Sequence, residues 1–131
     1  MKRTNYVVIP AVNCWDLTLK CIASIKSKEP FKIVLVDNGS SDATTSEASR
    51  TKNVIHIRNE ENRGVSAAWN QGIAKALEDD NCGYIYVINN DIVLRDDAFD
   101  NLITYADQAH LGKSDYMLVS SMPFIGPEDQ L

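Results

Sequence analysis

Cysteine is scarce and unpatterned in this sequence. Cys14, Cys21 and Cys82 are odd in number and form no CxxC pair, so neither a disulfide framework nor a zinc spacing is indicated. Small buried thiols are the plain reading. Long apolar runs are also missing. The N-terminus MKRTNYVVIPAVN carries basic residues, but its apolar run covers only Tyr6 to Ile9 before Pro10, too short for a signal-peptide core. No other run approaches the roughly 18 apolar residues of a membrane span. The chain is therefore expected in the cytoplasm, free or attached peripherally at a membrane, with no transmembrane segment. Positive charge is in deficit as well. With 13 Lys plus Arg against 18 Asp plus Glu, a net charge of -5, no basic stripe exists to bind nucleic acid. A small anionic ligand would need help, such as a metal ion.

Several catalytic fingerprints are absent too. There is no GxGxxG after the first apolar run and no GxxxxGK[ST], which disfavours a dinucleotide oxidoreductase or a P-loop enzyme. Ser40 and Ser120 stand in no GxSxG context, so a serine hydrolase is unsupported. His56 and His110 show no partner spacing and read as structural or exposed.

What remains is a pattern. The 131 residues, 44% apolar and 24% charged, fit one soluble domain spanning 1–131. Runs at 6–10 (YVVIP), 31–37 (FKIVLVD), 53–57 (NVIHI), 84–89 (YIYVIN) and 116–121 (YMLVSS) have strand length and are rich in β-branched or aromatic residues. Several are continuously apolar, as strands buried on both faces of a parallel sheet are. Helical stripes lie between them. Trp15, Leu19, Ile22 and Ile25 form one, with Asn13 as its expected N-cap. Val65, Ala68, Trp69, Gly72, Ile73 and Ala76 form another, whose small residues would let a helix lie close to a sheet. Phe99, Leu102, Ile103 and Ala106 form a third, opened by Asp96 and Asp97, and 42–50 is a weaker, short helix. This alternation predicts an α/β fold: a Rossmann-like, mostly parallel sheet flanked by helices.

Ligands of such sheets bind beyond the carboxyl ends of the strands. Polar clusters fall at four of those ends: PAVN, DNGSSD, NEENRG and NND. Asp37 ends a strand before a glycine turn, where its carboxylate could take hydrogen bonds from a ribose hydroxyl or base, with Gly39 allowing close approach; an Asx-type turn with Ser41 or Asp42 capping the next helix explains the same residues. Asn62 and Gly64 open a helix, a place suited to an anion or to ordinary capping.

Taken together, VVIPAVN, KIVLVDNGSSDAT, NRGVSAAWNQGIAKA and YIYVINNDIVL, in this order over roughly residues 5–125, resemble the nucleotide-sugar-binding half of family 2 glycosyltransferases, which have the GT-A fold of nucleotide-diphospho-sugar transferases. The resemblance implies an inverting transfer of a sugar from a UDP-, dTDP- or GDP-linked donor to a sugar or glycan acceptor. It implies a divalent cation, Mn²⁺ or Mg²⁺, held against the donor diphosphate. Where the family usually has Asp-x-Asp, this chain reads Asn89-Asn90-Asp91, so Asp91 becomes the metal ligand and Asn89 or Asn90 faces the ribose. One acid suffices when phosphates and waters complete the octahedron. Pro10, Val12 and Asn13 would surround the base, with Asp37 on base or ribose and Gly39 at the turn beside them. Asn62, Gly64 and Asn70 would line the other wall, and Arg63 would approach the phosphates. The catalytic base of the family lies in an acceptor half that this chain is expected largely to lack. Glu128 and Asp129 stand where that half would begin, and neither is assigned as the base. The chain is thus read as a piece of a longer protein, a naturally short relative, or one member of an oligomer or assembly with a partner chain. A non-catalytic nucleotide-sugar-binding module with the same donor residues is the alternative.

Overall fold

The computed structural model describes residues 2–110; the strand expected at 116–121, Glu128 and Asp129 lie outside them. Four strands and four helices alternate: β1 Thr4–Ala11, α1 Trp15–Ser24, β2 Phe31–Asn38, α2 Thr44–Ala48, β3 Val54–Asn59, α3 Val65–Ala76, β4 Cys82–Val87 and α4 Ala98–His110. The strands form one sheet in the order β3-β2-β1-β4, and every pairing is parallel. Crossover helices then have to cover its faces, because parallel strands cannot be joined by tight turns.

Alternation along each strand divides the core in two. Val7, Ile9, Ile33 and Leu35 face one side and pack with Cys21 and Ile25, and with Phe99 and Ile103 of α4. Phe99 is its centrepiece, 5.9 Å from the Phe31 ring and 4.3 Å from the Tyr86 ring. Tyr6, Val8, Val34 and Val36 face the other side, under Ala68 and Ala76 of α3. The small-residue stripe brings α3 close, as its sequence leads one to expect. A Cβ on Gly72 would overlap the Val8 side chain.

Burial on both faces holds for the central strands β1 and β2 but not for β4, whose residues are partly or well exposed. Among the described residues β4 is an edge, with a neighbour on one side only. A second departure concerns Asn13. It does not cap α1: Asn13 and Cys14 both take left-handed backbone, φ 56° and 59°, and Cys14 occupies the cap position without a side-chain hydrogen bond. The Asn13 amide oxygen instead accepts from Ser41 N (2.7 Å) and Asp42 N (3.2 Å), stitching the loops after β1 and β2 together. The acids stand just before α4 as expected; the Asp97 backbone carbonyl accepts from Asn101 N at 2.9 Å, and the Asp96 carboxylate pairs with Lys26.

At the opposite, amino-terminal edge of the sheet, Arg3 forks between two carboxylates. Its Nε and Nη2 donate to Glu29 (2.9 and 2.8 Å), while Nη1 and Nη2 donate to Asp107 (2.6 and 2.8 Å). The clamp ties β1, the turn before β2 and the last turns of α4 together, far from the strand ends that carry the polar clusters.

Candidate functional site

The carboxyl ends of three strands enclose a cleft of about 300 Å³. Pro10, Ala11 and Val12, at the carboxyl end of β1, form its apolar floor; Asn38 of β2, Asn62 and Val65 form one wall; Asn89, Asn90 and Asp91 form the other. Of the residues expected to bind a ligand, Pro10, Val12, Asn62, Asn89, Asn90 and Asp91 are thus brought together. Ala11, Asn38 and Val65 join them without having been singled out.

The wall after β4 is held by α1. Asn90 Nδ2 donates to Thr18 Oγ1 (3.1 Å), and the Cys21 thiol lies 3.6 Å from the Asn89 carbonyl as its donor. Thr18 and Cys21 are both fully buried one turn apart on α1. Burial pushes the Cys21 thiol up to about 11, with the nearby Asp91 charge adding to the shift, so it stays protonated and able to donate at neutral pH. Leu94 N further donates to Ser24 Oγ at 3.0 Å. These contacts fix the Asn89-Asn90 turn while leaving Asp91 exposed at the mouth of the cleft.

The wall after β3 depends on Asn38, which is 2% exposed. Its Nδ2 donates to Asn62 Oδ1 (3.0 Å) and to the Gly64 carbonyl (3.1 Å), and its Oδ1 accepts from Arg63 N (3.0 Å). Asn62 Oδ1 also accepts from Gly64 N at 2.9 Å, an Asx-type turn that leads into α3. Gly64, with φ +87°, occupies the cap position of that helix.

Asp37 is placed differently from a residue that lines a cleft. It is fully buried; Ser40 N and Thr45 Oγ1 donate to its carboxylate at 2.9 and 2.5 Å, and Arg58 Nη1 stands 3.7 Å away. His56 Nε2 is 3.5 Å from its other face. Burial alone would raise this carboxyl, but the hydrogen bonds from Ser40 and Thr45, with the Arg58 charge, outweigh it and hold the group below the usual carboxylate range. Ser40 Oγ in turn accepts from Asn13 N at 2.8 Å. Asp37 therefore braces the loop that carries Asn13, beside the floor residue Val12. The Asx-type turn weighed from sequence is present here, and Asp42 Oδ1 accepts from Thr44 N (2.9 Å) at the start of α2.

Gly39, with φ +87°, lets this turn press against the next loop: a Cβ there would lie 2.8 Å from Glu61 C and 2.9 Å from Asn62 N. Arg63 borders a separate open groove with Arg58, Asn59, Glu60 and Glu61, and Asn70 is exposed on α3; neither borders the cleft.

Comparison with known proteins decides the kinship. Residues 6–113 match the family described as Glycosyl transferase family 2. The chain belongs to this family. Its fold is the GT-A fold. It is similar to S. aureus TarS 1-349 in complex with UDP, with TM-score 0.68 and 19% identity, over 84% of this chain and 33% of that one. The TarS complex with UDP-GlcNAc gives 0.68 and 17%, over 82% and 32%. The mannosyltransferase PcManGT from Pyrobaculum calidifontis, in complex with GDP-Man and Mn²⁺, gives 0.64 and 20%, over 79% and 32%. At these identities the likeness speaks for the fold, and the family 2 domain spans about a third of those chains. Among curated proteins no sequence matches it.

Among the described residues no group of three or more His, Cys, Asp or Glu could hold a metal ion unaided. The cleft does offer one carboxylate, Asp91, with amide oxygens of Asn89 and Asn90 beside it. That set fits a hard, oxygen-seeking cation that arrives with phosphate oxygens and waters, and does not fit one caged by protein alone. No helix among the described residues is long and apolar enough to cross a membrane.

Proposed function

We propose that this family 2 domain binds a nucleoside diphosphate sugar in the cleft, with Mg²⁺ or Mn²⁺, and forms the donor side of an inverting glycosyl transfer to a sugar or glycan. The observation that carries the reading is the charge of the cleft. Among the described residues its walls hold amides, apolar groups and one carboxylate, and no Lys or Arg. A diphosphate placed there in a chain of net charge -5 needs a cation to share it.

In this reading Pro10, Ala11, Val12 and Val65 flank the nucleobase, and Asn89 and Asn90 hydrogen-bond ribose hydroxyls without adding negative charge. Asp91 is the protein ligand of the cation, which when bound neutralises charge on the departing diphosphate. Asp37, Asn13 and Gly39 act from behind the floor by setting the loop, Asn62 and Gly64 close the opposite wall, and Asn70 stands outside it. Arg63 borders the neighbouring groove, so in this reading it meets the phosphates only where they extend beyond the cleft.

A second reading has support from the same cleft. Asp91 is its one carboxylate among the described residues; if that group serves the cation, none of the described lining residues is left over as a general base for the acceptor hydroxyl. A domain of this kind could bind donor without transferring it. Calorimetric titration with UDP, dTDP and GDP, each with Mn²⁺ and with EDTA, tests the shared part. At least one nucleotide is expected to bind, about tenfold or more tightly with metal. Equal affinity in both buffers would remove the cation, and no binding of any would remove the donor site. Labelled sugar nucleotides with acceptors then separate enzyme from module.

A further inference from the structure

Behind the Asn62 wall the amide of the lining residue Asn38 continues into those of Asn59 and Gln71, which do not border the cleft. Asn38 and Asn59 are register partners at the ends of β2 and β3, 2% and 7% exposed. Asn59 Nδ2 donates to Asn38 Oδ1 at 3.1 Å and to Gln71 Oε1 at 2.7 Å, and Gln71 Nε2 donates back to Asn59 Oδ1 at 2.8 Å. Gln71 sits on α3, outside the cleft.

With Asn62 Oδ1 and the Gly64 carbonyl as acceptors, and Arg63 N and Asn59 Nδ2 as donors, all four positions of the Asn38 amide are filled. Reversing that amide would set its oxygen against two oxygens and its nitrogen against two donors. Its direction is therefore locked from both ends, by the loop on one side and by Asn59 on the other. Asn59 is locked in turn by the reciprocal pair with Gln71. A carboxylate at position 38 could not donate to Asn62 and Gly64, which gives a reason for the amide beside Asp37.

We propose that Gln71 and Asn59 are positioning residues: through Asn38 they set the Asn62–Gly64 turn against the cleft, and so govern nucleotide affinity although neither side chain borders the cleft. The inference rests on the donor-site reading for its consequence, though not for its geometry. A buried amide such as Asn38, with all its positions filled, is held rigidly, and removing Gln71 leaves the Asn59 side-chain oxygen without its donor.

The test uses Gln71→Met, close in volume and a good helix former but without an amide. Amide hydrogen exchange is measured first, on the protein without nucleotide. Exchange at Arg63 and Gly64 is expected to quicken about tenfold, the scale of one buried hydrogen bond, while Val8 and Val34 in the central strands keep the parent's protection. Gln71→Glu retains an oxygen for Asn59 Nδ2 but loses the donor, and is expected to fall between the two; it decides the matter by the same comparison if Gln71→Met does not fold. Titration with UDP and GDP in Mn²⁺ follows, where affinity is expected to fall about tenfold with its dependence on metal retained. Parent-like exchange at Arg63 and Gly64 would overturn the positioning role. Faster exchange with unchanged affinity would overturn its link to the cleft. A parent that binds neither nucleotide overturns the donor-site reading instead, and the exchange comparison still decides the amide chain.

Discussion

At the scale of single residues, the cleft separates groups that can meet a ligand from groups that hold them in place. Asp91, in the loop after β4, is exposed at the mouth, while Asp37, equally acidic and near the end of β2, is fully buried with its carboxylate oxygens occupied by Ser40 and Thr45. Asp91→Asn keeps the size and removes the charge. Its expected effect is to bring nucleotide affinity in Mn²⁺ down to the value in EDTA, a loss of about tenfold or more, with the melting temperature unchanged within about 2 °C because the group is exposed. Metal-dependent binding that survives in the variant would take the cation away from Asp91. The resemblance put both acids at the ligand, Asp91 on the cation and Asp37 on base or ribose; burial, which no motif reports, separates an exposed Asp91 from an Asp37 whose oxygens face Ser40 and Thr45.

At the scale of elements, the docking of α3 sets two local preferences against each other. Replacing Gly72 by Ala would favour the helix by about 1 kcal/mol, since alanine has the higher propensity. The added Cβ, however, would overlap the Val8 side chain, which is itself fully buried in β1. Overpacking of this kind costs about 1–3 kcal/mol, so packing is expected to win. A melting temperature lower by about 3–8 °C follows for a domain of this size, read by circular dichroism. A higher value would mean that α3 stands off the sheet. Close docking by Gly72 was legible in the small-residue stripe; which strand it meets was not.

At the scale of the whole molecule, buried and clamped carboxylates couple stability to pH. Asp37 at one end of the sheet and Glu29 at the other are both held below the usual carboxylate range. For Asp37, burial works against the shift and the Ser40 and Thr45 hydrogen bonds outweigh it; for Glu29, the Arg3 hydrogen bond is the main cause. In the unfolded chain these groups take up protons near pH 4, before the folded forms do. Their stabilisation is therefore complete above that pH and is lost as pH falls through the depressed folded values. Melting temperature should drop between pH 5 and pH 3, and Asp37→Asn should flatten that drop. Glu29, in a clamp about a third exposed, should matter less because solvent screens it. An acid limb just as steep in Asp37→Asn would show that the buried charge contributes nothing to it.

Much of this protein was determined by its sequence alone. Strand and helix periods, the small-residue face of α3 and the four polar strand ends are properties of short stretches, and together they specify a parallel α/β sheet with one polar edge and mark the family. What remained undecided depends on partners distant along the chain. Asn90 is held by Thr18, 72 residues away, and Asn59 meets Asn38 across 21. Asn13 turned from the expected helix cap to the Ser41 and Asp42 amides, and β4 became a partly exposed edge among the described strands. Strand order and helix docking settle which polar groups lose water and which neighbour must replace it. A buried amide or carboxylate satisfies whatever donors and acceptors the fold brings to it, and those are set by the tertiary structure, not by the residues on either side.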